Sequence, residues 1–193
     1  MTDVPLPITG DADADALLAE NPFALLLGML LDQQVPMEWA FRSPASLADR
    51  LDGELTPSRL AEMGEDDVEA VFRQKPALHR YPGSMGKRAH ALAVHVVDEY
   101  GGDTASIWAG AADAGELYRR LRDLPGFGEE KSRIFLALLA KRFDAAPTDW
   151  KDHAGPFGDD VPRSAADVDS EDTLQEVRAW KKAQKAKGKK KTD

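Results

Sequence analysis

The stretch Leu124-Pro-Gly-Phe-Gly-Glu-Glu-Lys-Ser132 sets two glycines, Gly126 and Gly128, two residues apart between two runs that read as helices. The first N–H groups of a helix lack intrahelical partners and sit at the positive end of its dipole, so such a turn can bind an anion. Glycine suits it because the backbone can take conformations costly for a residue with a Cβ, and a ligand can come close. Phe127, between the glycines, is expected to point back into the core and fix the turn. If the anion is a nucleic-acid phosphate, main-chain contact positions it without reading sequence. The same residues also fit an ordinary corner between two helices. Other chemistries are excluded or not expected. With Cys 0, disulfides, thiolate nucleophiles and cysteine-bound zinc or iron–sulfur clusters are ruled out. His79, His90, His95 and His153 make no recognised metal spacing, so neither a metal enzyme nor a cofactor is expected.

The elements that must carry this turn are helical, with almost no strand signal. Residues 13–31 are Ala/Leu-rich, with Pro22 marking a restart that Asn21 can cap, and from Phe23 to Leu31 only Gly28 interrupts the apolar run. That second helix should be buried on most sides. Ser43-Pro44 and Thr56-Pro57 each place a hydroxyl before a proline, predicting short helices near 44–51 and 57–63. Gly64 precedes three acids that open another. A loop over 76–86 is expected, then an amphipathic helix over 87–100 stopped by Gly101-Gly102. Helices over 113–122 and 129–142 flank the turn. Residues 144–170 are loop-like, and a last helix near 171–187 runs into lysines. The expected class is all-α, about eight to ten short helices in two lobes. Residues 1–170 would form the main domain and 171–193 a C-terminal helix and lysine-rich tail.

The chain has 193 residues, enough for one substantial domain, and 42% hydrophobic with 31% charged residues is an ordinary globular balance. No apolar run reaches the roughly 20 residues that span a bilayer, and residues 1–10 lack a secretory pattern, so a soluble cytoplasmic protein is expected. Residues 181–193 hold seven lysines and one aspartate, or +6, so residues 1–180 carry −15 of the net −9. The body is acidic and the tail basic.

Leu124–Phe143 resembles the helix-hairpin-helix motif. The chain as a whole resembles the helix-hairpin-helix (HhH-GPD) DNA glycosylase superfamily, which includes endonuclease III and the 3-methyladenine glycosylases. Four pieces occur in the family's order across roughly residues 20–150. Leu30-Leu31-Asp32-Gln33-Gln34 is similar to its "LLxQQ" segment. Gly83-Ser-Met-Gly-Lys-Arg-Ala89 is similar to "GLxxxKA", with Ser84 for the leucine and Arg88 for the lysine. The hairpin follows, and Pro147-Thr148-Asp149 places an aspartate 21 residues beyond Gly128.

The resemblance implies a base-excision DNA repair protein. Its partner would be double-stranded DNA with a damaged base, flipped into a cleft where a carboxylate assists cleavage of the N-glycosidic bond. Asp149 matches the catalytic aspartate; on its own it also reads as a turn residue. Glu130 stands where bifunctional members have a lysine, and Lys131 is one residue too late, so a monofunctional, water-using glycosylase is implied. Gly155 and Pro156 break the long helix that the family runs from its aspartate, which leaves a non-catalytic DNA-binding or repair-partner module as the alternative. The family wedges a residue into the gap left by the flipped base, and Gln33, Gln34 and Met37 are candidates. Trp39, Phe41, Tyr81 and Trp150 could line the base pocket. Lys87, with Arg73, Lys75, His79, Arg80 and Arg88, clusters near one loop in sequence. Gly126, Gly128, Lys131 and Arg133 belong to the hairpin and its flank, and the terminal lysines could add a basic arm. A monomer is expected.

Overall fold

A computed structural model describes residues 4–188, which contain eleven α-helices and no strand. The core is built on two helices. α1 (Ala12–Glu20) ends at Asn21, whose side chain accepts from the Phe23 and Ala24 N–H groups and so opens α2 (Pro22–Leu31). Every residue of α2 from Phe23 to Leu31 is buried, as its unbroken apolar run requires. α3 (Met37–Arg50) packs across it so closely that a Cβ on Gly28 would lie 2.6 Å from the Phe41 ring. Phe41, expected near a base pocket, is therefore a core residue at 0% exposure.

α3 runs Met37–Arg50 and contains Ser43 and Pro44 in its interior, so the helix predicted to start at Pro44 starts seven residues earlier. The Ser43 hydroxyl is not a cap. It donates to the Trp39 carbonyl at 2.8 Å and lies 2.6 Å from that of Leu78, binding α3 to the loop that ends at Tyr81. Thr56 does cap α4 (Pro57–Glu62), and α5 (Glu65–Arg73) starts at Gly64 with its three acids in the first turn. α6 spans Pro82–Tyr100, five residues longer than the predicted helix, because Pro82 takes the first helical position and the glycines at 83 and 86 let it approach α5. Gly101, at φ +60°, ends it.

The remaining elements surround α9 (Glu129–Phe143). α7 (Ser106–Ala109) is a single turn; α8 (Ala114–Asp123), capped by Asp113, packs on α9. The stretch expected to be loop holds α10 (Trp150–Ala154) and two 3-10 turns against α9. α11 (Glu171–Ala186) opens at a Ser170–Thr173 capping box. It joins the core cluster shared by the other elements through Leu174 and Val177. Three lysines of the basic tail, at 189–191, fall outside the described residues.

Candidate nucleic-acid interface

The α8–α9 turn is set by proline and glycine together. The Phe127 N–H donates to the Leu124 carbonyl at 3.0 Å across Pro125 and Gly126, and Gly126 has φ +82°, the type II pattern. A Cβ on Gly126 would also lie 2.5 Å from Leu30 Cδ1, so the turn sits directly on the end of α2. Phe127 is buried and meets Phe135 edge-on at 6.0 Å, as its place between the glycines predicted. Gly128 differs. Its φ is −84°, and among the described residues no atom beyond its two chain neighbours lies within 4 Å of where its Cβ would stand. The fold does not require a glycine there. The residue before α9, Gly128, makes no side-chain cap hydrogen bond to that helix.

Lys131 joins this turn to the loop after α2. Its Nζ donates to the Leu30 carbonyl at 2.6 Å and to Gln33 Oε1 at 3.1 Å, while Gln33 Nε2 lies 3.5 Å from Met85 Sδ. Gln34 beside it is exposed and held at φ +58°, a left-handed conformation that non-glycine residues seldom adopt. Backbone strain of this kind concentrates at ligand-contacting sites. Preceding both is Asp32, 8% exposed, with Oδ2 lacking a hydrogen-bond partner among the described residues.

His79 holds the loop from beneath. Its Nδ1 accepts the Tyr81 N–H at 3.0 Å, which leaves the proton on Nε2, 3.2 Å from the Leu31 carbonyl and 3.0 Å from that of Gln33. Burial lowers its pKa, outweighing the two backbone hydrogen bonds that raise it. His79 is therefore a neutral structural strut rather than part of a basic patch. Trp39 and Tyr81 flank it, with ring centroids 6.4 and 6.2 Å from the imidazole, and they are 39% and 42% exposed. Arg80 lies over the Tyr81 ring at 5.5 Å. Arg88 is exposed on α6, with its Cδ 3.8 Å from the Gly126 Cβ position. One face thus gathers Gln33, Gln34, Trp39, Tyr81, Arg88, Lys131 and the turn.

Four sequence candidates fall elsewhere. Met37 is 3% exposed, a core side chain unable to wedge between bases. Lys87 lies 3.3 Å from Glu65 and 3.7 Å from Glu69, because its position on α6 faces the acidic α5; Glu69 also takes Arg73 at 2.6 Å. Asp149 is exposed, and its carboxylate accepts the Ala114 N–H at 3.1 Å at the start of α8. The ten residues of α8 then separate it by about 15 Å from the α8–α9 turn. Trp150 goes with it, half-buried against the core under Lys151. Asp32 and the Ser43 tie are features that sequence reasoning missed; a buried carboxylate inside "LLDQQ" leaves no periodic signal.

Comparison with protein-family models, with curated proteins and with solved structures finds no match for this chain.

Proposed function

We propose that the chain is a base-excision DNA repair protein that engages duplex DNA at a damaged or unstacked base through the face just described. The observation that carries this reading is the junction made by Lys131. It locks an uncapped helix start with an unobstructed glycine to a strained glutamine loop beside two exposed aromatics. Each part has a task on DNA. The first N–H groups of α9 and the exposed Arg88 take phosphates, which fixes register without reading sequence. Gln34 fills the gap left by an extruded base, and Trp39 and Tyr81 offer ring faces for that base.

Excision itself needs a carboxylate near the sugar, where positive charge develops as the N-glycosidic bond breaks. Asp149 serves as a helix-end acceptor about 15 Å away, along α8. The carboxylate next to Gln33 is Asp32. Binding without excision is thus the better-supported form of the function, and excision through Asp32 is the second, favoured by its unpartnered buried oxygen.

The test is incubation with duplexes carrying a panel of alkylated, deaminated and oxidised bases, scoring both binding and release of the base. Preferred binding to at least one lesion duplex supports the proposal. Release that survives Asp149→Asn and is lost in Asp32→Asn selects the second form. Equal, weak affinity for every duplex and for a neutral polymer control would sink both.

A further inference from the structure

We infer that the lysine-bearing half of α11 is a second DNA-binding element, laid alongside the same face. This rests on the DNA-binding reading above and extends it to a part of the chain outside that junction.

The charges on α11 are segregated. Glu171, Asp172 and Glu176 occupy its first half; Arg178, Lys181, Lys182 and Lys185 follow, with Lys187 just past its end. A helix dipole favours this order in any helix, so the order alone assigns no partner. Location adds the second observation. α11 starts beside the C-terminal end of α9, where Asp169 lies 3.3 Å from Arg142, the end farthest from the α8–α9 turn. It then reaches the first turn of α3, where Arg178 pairs with Glu38, next to Trp39 and four residues after Gln34. Leu174 and Val177 are buried just before that contact, and Arg163 lies over the Trp180 ring at 5.4 Å just after it. The helix is thereby fixed on both sides of Arg178.

Lys182 and Lys185 follow Arg178 at spacings of four and seven, so they stand on its side of the helix, roughly 6 and 10 Å farther along. They continue beyond the Arg178–Glu38 contact at the start of α3. Lys182, Lys185 and Lys187 are exposed and form no ion pair among the described residues. Cations held this way would meet the phosphates flanking the damaged base, where each contact releases counterions from the DNA.

The experiment measures binding of the full-length chain to a lesion duplex across a salt series. It compares the wild type with Lys182→Gln/Lys185→Gln/Lys187→Gln and with Arg59→Gln/Lys151→Gln, a control on α4 and α10. The arm predicts that the triple variant loses about fivefold or more in affinity near 0.1 M salt, and that its log affinity against log salt slope is shallower by about 2 to 3. The control should match the wild type. A triple variant with the wild-type slope overturns the arm while leaving the α8–α9 face intact. A control that loses as much as the triple variant also overturns it, because general charge would then explain the effect. If the wild type shows no salt-dependent binding, the underlying DNA reading falls as well. Circular dichroism keeps a misfolded variant from being counted.

Discussion

Alanine at Gly126 and alanine at Gly128 separate what the turn does for the fold from what it does for a ligand. Gly126 has φ +82°, and an added Cβ would lie 2.5 Å from Leu30 Cδ1 in the buried end of α2. A left-handed alanine costs about 1–2 kcal/mol, and forcing a methyl into packed core adds about 1–3 kcal/mol more. Gly126→Ala should therefore lose about 2–5 kcal/mol, which lowers Tm by roughly 4–20 °C for a chain of this size. At Gly128 the terms nearly cancel. The backbone already suits alanine, and Gly→Ala gains about 0.4–1 kcal/mol by restricting the unfolded chain. Alanine is a poorer N-cap than glycine by a similar amount. Gly128→Ala should then melt within about 2 °C of the wild type. If a phosphate rests on the first N–H groups of α9, that same methyl stands in its way, and affinity for duplex DNA should fall about tenfold. Thermal melts and fluorescence anisotropy with a labelled duplex measure both quantities. A Gly128→Ala protein that is stable and binds DNA as tightly as the wild type would refute the phosphate cradle; one that unfolds would refute the steric reasoning.

Three further outcomes follow from the site. His79 has its pKa lowered from the ordinary 6.5, so the unfolded chain takes up this proton at a higher pH than the folded chain does. Its contribution is complete above about pH 6.5 and is lost as pH falls toward the folded value. The stability gap between wild type and His79→Gln should accordingly narrow between pH 7.5 and 5.5 in urea titrations, and a gap independent of pH would contradict this. Tyr81→Ala should leave Tm within about 2 °C, since the ring is 42% exposed, while weakening binding to a lesion duplex by about 1–3 kcal/mol if a base stacks there. Asp149→Ala should cost about 0.5–1 kcal/mol of stability through the lost Ala114 contact and leave DNA affinity unchanged; a large loss of binding would return Asp149 to the site.

The sequence made the helices legible wherever a boundary had a local chemical signature. Asn21 before Pro22, Thr56 before Pro57 and Gly101 all mark helix ends as read, while Asp113 and Ser170 turn out to be caps of helices placed within a residue of their observed starts. The misread pair Ser43-Pro44 carries the same letters as a cap. Its hydroxyl turns instead to the carbonyls of Trp39 and Leu78, and Leu78 lies 35 residues away, beyond the reach of local pattern. The site divides along the same line. Glycine spacing announced the turn, but Lys131 meeting Gln33 spans 98 residues and depends on how α9 rests on α2. Lys87 and Arg88 are neighbours in sequence, yet only Lys87 faces the acids of α5.

That last contrast also bears on the objection that a body of charge −15 should repel DNA. The internal ion pairs leave that net charge unchanged, since their cations are already counted in it, but they set where the field is felt. Glu65 and Glu69 hold Lys87 and Arg73, Glu116 holds Arg120, Glu129 holds Arg133, and Asp167 holds Lys141. Pairs of this kind are nearly neutral beyond a Debye length of about 8–10 Å, so they shape the field only close to themselves. A phosphate at the α8–α9 turn would feel mainly Arg88, Lys131, the α9 dipole and the nearby acids Glu129 and Glu130, while the lysines of α11 lie farther along the backbone. Those two glutamates oppose it most directly. Glu129→Gln/Glu130→Gln should therefore tighten DNA binding more than removing two acids from α5, even though both changes alter net charge equally. Equal gains would mean that total charge governs the interaction and that no local phosphate site exists at the turn.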